Sequence, residues 1–268
     1  MMQSRLRNTG RSSLGKIVST SILGLSLGAA LAMPSAGRAQ SASSNPQLQA
    51  DVMKSLSGKR FASVSASVDG STVVLNGTVP TYADKLDAER KTHHRKGVKA
   101  VDNEIRVAGA EVTDAQLQQK LAGKIAYARV GYGTTAFNSI AIGVHDGVVT
   151  LGGTAYGPTD KSDFLSIVEN EPGVRDVVDD IQVAPLSNFD DRIRIEEARA
   201  IYGFPTLQRY AINPVKPIRI IVVNGHVTLS GVVDSKADKD AAGIRANGVS
   251  GVFSVENDLQ VEESSKGN

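Results

Sequence analysis

Four histidines and no cysteine bound the chemistry open to this 268-residue chain. Without a thiol there is no disulfide framework, thiolate zinc site, iron–sulfur cluster or cysteine nucleophile. His93 and His94 are adjacent, so on a helix they point about 100° apart and cannot grip one metal as an i, i+4 pair does. His145 and His226 fall beside Asp-Gly and Asn-Gly turns, where a solvated turn residue is expected. The acidic pairs Asp179-Asp180 and Asp190-Asp191 could offer oxygens to a cation, but in a strand end or a linker they read as solvated carboxylates. No G-x-S-x-G, H-E-x-x-H, Walker loop or dinucleotide fingerprint occurs. The expectation is a protein that is not an enzyme, with no catalytic residue, no metal ligand and no cofactor. Gly248-Val249-Ser250-Gly251 matches the G-x-x-G loop of RNA-binding KH domains. That loop needs a helix on each side, and here a strand is expected to follow.

Two clusters could bind something. Lys85, Arg90, Lys91, Arg95, Lys96 and Lys99 gather within one short stretch with His93 and His94 among them. One reading is a patch for anionic lipid head groups. The other is a solvated helix whose acids (Asp84, Asp87, Glu89) stand at its start and whose bases stand at its end, as the helix dipole favours. Tyr202, Phe204, Leu207 and Tyr210, with Pro205 among them, concentrate contact residues within nine positions. They form either an interaction surface or an anchor that packs a long connection onto its own sheet.

These clusters sit on a repeated frame. Val64–Gly77, Ile140–Gly153 and Ile218–Gly231 share alternating apolar residues around an Asp-Gly or Asn-Gly pair, the pattern of a β-hairpin with one buried face. The Asp69-Gly70-Ser71-Thr72 turn reads as one residue longer than the other two. Gly77, Gly153 and Gly231 stand in line with core residues, which predicts close backbone approach, by the helix that follows. Twenty positions later come Gly97, Gly173 and Gly251, each opening a third strand. Between the paired glycines the period changes to a helical one, in Ala83/Ala88/Thr92, Phe164/Leu165/Val168 and Ala237/Ala241/Ala242/Ala246. A further amphipathic segment precedes each hairpin: Leu48/Val52/Leu56, Leu117/Leu121/Ile125 and, more loosely, Ile193/Ala198/Ile201. The predicted fold is α+β, three tandem αββαβ units, each a three-stranded mixed sheet with two helices on one face.

Ahead of the frame lies a segment with the three parts of a cleavable export signal. Arg5, Arg7, Arg11 and Lys16 precede an apolar run from Ile17 to Met33, and small residues surround Ala39. Cleavage there removes the basic excess: the whole chain has formal net charge +2 and the remainder −3. That remainder divides into +3, −5 and −1 over 40–109, 110–186 and 187–268. An exported, acidic product argues against nucleic acid as partner, and without a cysteine near the cut a lipid anchor is not expected.

The pattern V-x-V-x-[DN]-G-x-V-x-L-x-G, followed 20 residues on by G-V-x-x-V-x-[ND]-x-[IL]-x-V, resembles the BON domain (bacterial osmotically inducible Y and nodulation). The resemblance covers three domains, 45–109, 113–185 and 187–263, between a signal at 1–39 and a disordered tail at 264–268. The third copy departs from the pattern in a longer insertion, Ile201–Pro217. The resemblance implies a periplasmic protein that binds anionic phospholipid or another envelope surface and supports envelope integrity or osmotic stress tolerance. Two alternatives are a chaperone-like protein holding unfolded clients through the aromatic segment, and a module binding a small ligand or cation.

Overall fold

A computed structural model describes residues 45–108 and 112–262. The expected export signal at 1–39 and the tail at 264–268 lie outside the described residues. Among the described residues, no helix is long and apolar enough to cross a membrane.

The first unit runs α1 (Pro46–Ser55), β1 (Val64–Asp69), β2 (Thr72–Val79), α2 (Tyr82–His93), β3 (Ala100–Asn103) and β4 (Arg106–Val107). The second runs α3 (Asp114–Tyr127), β5 (Ser139–His145), β6 (Val148–Ala155), α4 (Pro158–Glu169) and β7 (Asp176–Val183). The third runs α5 (Asn188–Tyr202), the short α6 (Arg209–Ile212), β8 (Arg219–Val223), β9 (His226–Ser230), β10 (Val232–Val233), α7 (Lys236–Asn247), β11 (Ser254–Asn257) and β12 (Gln260–Val261). In each unit the second strand line is central. It is antiparallel to the hairpin partner and parallel to the strand after the second helix. The fold is therefore the expected α+β mixed sheet.

Helix starts follow from capping chemistry. Asn45, Thr81, Thr113, Ser187 and Ser235 each accept a backbone N–H of the first turn, satisfying a donor the helix itself cannot. One face of each sheet is buried by its two helices. Val64, Ala66, Val68, Val73 and Leu75 form a core with Leu48, Val52, Leu56 and Ala88, and equivalent cores fill the other units.

Three details differ from the sequence reading. All hairpin loops hold two residues, because Asp69 pairs Thr72, His145 pairs Val148 and Val223 pairs His226. In the first hairpin the glycine occupies the first loop position instead of the second, which mimics an extra residue. Second, the backbone crowding Gly77, Gly153 and Gly231 comes from the start of the hairpin, not from the following helix. An alanine Cβ there would lie 1.9 Å from the Ser63 carbonyl oxygen, 2.0 Å from that of Ser139 and 2.6 Å from that of Pro217. The remaining repeated glycines, Gly97, Gly173 and Gly251, carry φ of +97°, +100° and +90° where the chain turns from helix to third strand. Third, the buried stripe of α5 is Ile193/Glu197/Ile201; Ala198 is only half-buried.

The units abut one another. Tyr82 packs against the second core, and burial together with the Asp176 carboxylate pushes its hydroxyl pKa up to about 12. Between the second and third units, Ser139 and Ser230 hydroxyls meet at 3.0 Å and the Tyr156 hydroxyl donates to Asp191 at 3.2 Å. Arg219 donates to the Thr135 carbonyl at 2.7 Å.

Candidate functional site

The basic cluster of the first unit is split by its own acids. Asp87, on the buried side of α2, accepts from Arg60, from Arg90 at 2.5 Å and from Lys91 at 3.3 Å. Burial pushes its carboxyl pKa up, but these cations outweigh burial and hold it below its ordinary value. Arg90 and Lys91 are therefore held on an inner carboxylate, and with Arg60 and Asp84 the cluster keeps a net charge of only +1. Lys85 stands ten residues before Arg95, about 15 Å away along a helix, and faces a groove shared with Arg106 and Arg175.

What the fold brings together is Arg95, Lys96 and Lys54. α1 and α2 end side by side, so Lys54 in the last turn of α1 joins the exposed Arg95 and Lys96 just past α2. Asp51 and Ser55 share the hollow between them. Lys54, Arg95, Lys96 and Lys99 make no ion pair among the described residues. His93 and His94 sit exposed at the end of α2, with His94 Nδ1 2.6 Å from the Arg90 carbonyl. Lys54 was missed because it lies forty residues upstream; only helix pairing makes it a neighbour.

The aromatic segment turns inward. Leu207 is fully buried, Tyr210 is nearly so, and both belong to the third core with Tyr202 and Phe204 packed against it. The Tyr202 hydroxyl donates to the Ile218 carbonyl. Tyr210 accepts the Asp234 N–H at 2.8 Å and donates to Asp238 at 3.1 Å. Leu207 and Tyr210 are thus closed to a partner, whereas Tyr202 and Phe204 are half-buried. The long insertion needs an anchor, and its largest residues provide it. The exposed large hydrophobic residues of the insertion are Ile212 and Val215. Ile212 borders a groove with Val130, Phe137 and Pro214.

The carboxylates read as solvated pairs are mostly bound within the fold. Asp190 is fully buried and accepts the Asn224 and Gly225 N–H groups of the third hairpin, at 3.0 and 2.8 Å. Asp114 holds the second hairpin in the same way, through Asp146 N–H at 2.8 Å and Gly147 N–H at 3.0 Å. Those backbone bonds lower its carboxyl pKa. His145 and Asp146 lie near enough to Asp114 for the three to share a cation, but both Asp114 oxygens already serve the turn. Asp179 pairs Lys161 at 2.8 Å, and Asp191 pairs Arg194 at 2.6 Å.

A repeated polar network escaped the sequence reading. Asp84, Asp160 and Asp238 each stand seven residues after the hairpin glycine, at the third position of the second helix. Each is buried and each meets an arginine: Arg60 at 3.1 Å, Arg129 at 2.6 Å and Arg209 at 2.5 Å. The glycine-to-aspartate spacing was available as a signal. The arginines come from connections of different length, so no fixed spacing marks them.

Comparison with known proteins agrees with this repeat. The BON domain profile matches residues 44–109, 113–185 and 207–263. The chain is 25% identical over 196 residues to Osmotically-inducible protein Y of Escherichia coli (strain K12), covering 71% of this chain and 93% of that protein. It is 29% identical over 120 residues to an uncharacterized protein in the gshII 5′ region of Anaplasma centrale, covering 44% of this chain and 80% of the other. Among solved structures, the C-terminal domain of CdsD, a type III secretion protein of Chlamydia trachomatis, aligns over 82% of this chain and 99% of its own, at 14% identity and a TM-score of 0.23. With its glycine-framed hairpins, crossover helices and closing strands recurring in all three matched stretches, the chain belongs to the BON domain family.

Proposed function

We propose that this is a non-catalytic protein of the bacterial envelope that is exported to the periplasm and attaches to anionic phospholipid surfaces by the basic end of its first unit. The observation that carries this reading is the convergence of Lys54, Arg95 and Lys96 at the paired ends of α1 and α2, exposed and without ion-pair partners among the described residues. A basic side chain near an anionic membrane contributes about 1 kcal/mol, so three acting together raise binding by about a hundredfold. Similarity to an osmotically inducible protein supports a role in envelope integrity under osmotic stress.

Flotation of the protein with phosphatidylglycerol-containing vesicles at low salt tests the site. Lys54→Glu/Arg95→Glu/Lys96→Glu is expected to abolish retention. Arg90→Gln/Asp87→Asn, which removes one ion pair and leaves the local net charge unchanged, is expected to keep most of it. Equal losses in both variants, or no retention of the parent protein, would reject the assignment. If the protein instead holds unfolded clients, the surface for it is the groove beside Ile212 and Val215, since Leu207 and Tyr210 are buried.

A further inference from the structure

The three leading helices can be placed in register by contacts of three kinds. Gln49 Nε2 donates to the Ala66 carbonyl at 2.7 Å and Gln118 Nε2 to that of the equivalent Ile142 at 3.0 Å, which matches the preceding residues Leu48 and Leu117. Asp114 and Asp190 accept the equivalent turn N–H groups of Gly147 and Gly225 at 3.0 and 2.8 Å, which matches Leu117 with Ile193, each three residues further on. Leu48 lies 3.7 Å from where a Cβ at Gly97 would be, as Ile193 does at Gly251. In this register Val52, Leu121 and Glu197 are equivalent, and all three are fully buried. The third unit therefore carries a carboxyl group where its sisters carry core aliphatics.

Nothing answers that group. Neither Glu197 oxygen has a hydrogen-bond partner, and no cation comes within 4.0 Å of it among the described residues. The charged groups on the elements packed against α5 are engaged elsewhere or stand beyond ion-pair distance of it. On β8, Arg219 donates to Thr135. On α6, Arg209 pairs Asp234 and Asp238, and Tyr210 bonds Asp238. On α7, Lys236 pairs Asp240, Arg245 lies over the Phe204 ring, and Lys239 makes no ion pair. On α5 itself, Arg194 pairs Asp191 and Arg199 pairs Glu196.

We infer that Glu197 makes the third unit a pH-responsive element, closed while its carboxyl is protonated and loosened as the medium turns alkaline. An unpaired charge in an apolar core is strongly disfavoured, so the group neutralises or the core opens to water. Burial alone raises the Glu197 pKa to about 8. Because the folded value lies above the unfolded one, the protonated carboxyl's contribution is complete below about pH 4.5 and declines as pH rises to about 8. The sister units, with Val52 and Leu121 in this position, have no titrating group there.

Hydrogen exchange of the whole chain, followed by peptide across the pH range, tests this against Glu197→Leu. Comparison at each pH cancels the intrinsic exchange rate. In the parent, the opening constant of α5 and β8 is expected to grow relative to the variant by up to about tenfold per pH unit between about pH 5 and pH 8. The α1 and α3 peptides are expected to show the same profile in both proteins. If the leucine does not pack, Glu197→Gln removes the titration while keeping the shape, and must likewise flatten the third-unit profile. Parallel profiles in the parent and in whichever variant folds would overturn the proposal.

Discussion

Gly153→Ala is expected to cost at least 3 to 4 kcal/mol, placing it among the most damaging single changes, and to abolish the cooperative unfolding transition of the second unit. Its φ is +92°, and the added Cβ would fall 2.0 Å from the Ser139 carbonyl oxygen. That oxygen belongs to the backbone of the paired strand, so relief requires separating β5 from β6. Gly77→Ala, at 1.9 Å from Ser63, is expected to do the same to the first unit. The control is Gly133→Ala. Its φ is +70° but nothing lies within 4 Å of the new Cβ, so only left-handed strain remains, about 1 to 2 kcal/mol. Urea unfolding of the three variants, with exchange protection resolving the units, measures the difference. A Gly153→Ala protein within about 1 kcal/mol of Gly133→Ala would show that the strands separate easily and that the close approach is not a constraint.

These glycines show what sequence can and cannot disclose. Alternation in Val149/Leu151 places Gly153 on the core face, and that much was readable. Which backbone presses on it depends on strand pairing, because the antiparallel register sets Gly153 opposite Ile140 and beside Ser139. The repeat, the hairpins and the helix order were legible because each rests on local periodicity. The candidate site was legible only as composition. Arg90 and Lys91 look like Arg95 and Lys96 in sequence, and what separates them is Asp87 on the inner side of the same helix. Lys54 joins the site only through the pairing of two helix ends. Glu197 was overlooked for a different reason. A search for apolar residues at helical spacing passes over an acid, and Ala198 stood next to it to complete a looser stripe. Spacing without regard to residue type, Ile193 to Ile201 by fours, would have exposed it. Tyr210 and Leu207 were ambiguous because large apolar residues in a long connection suit both an anchor and a docking face.

The repeated arginine–aspartate network gives the second large effect, and its size should follow burial. Arg129→Met is expected to destabilise the second unit by about 3 to 5 kcal/mol, the usual result of removing one partner from a buried pair. The two side chains are only 7% and 4% exposed, and Arg129 also reaches Asp163 and Thr134. Its loss leaves the Asp160 carboxylate with two neutral donors, Thr134 and Asn138. In the first unit Arg60 is 47% exposed, and Arg90 and Lys91 remain on Asp87 after its removal. Solvent screening therefore reduces Arg60→Met to about 1 kcal/mol or less. Arg209→Met should fall between them, since Arg209 is 51% exposed but Asp238 is 6% exposed and keeps Tyr210 and Ser235. Arg129→Met/Asp160→Asn should recover part of the loss, because the neutral amide no longer strands a charge in the core. Denaturation of the four variants reads the ranking directly. Equal costs for Arg60 and Arg129, or no recovery in the double variant, would mean that the network acts through packing of the guanidinium stem, not through charge compensation of a buried acid.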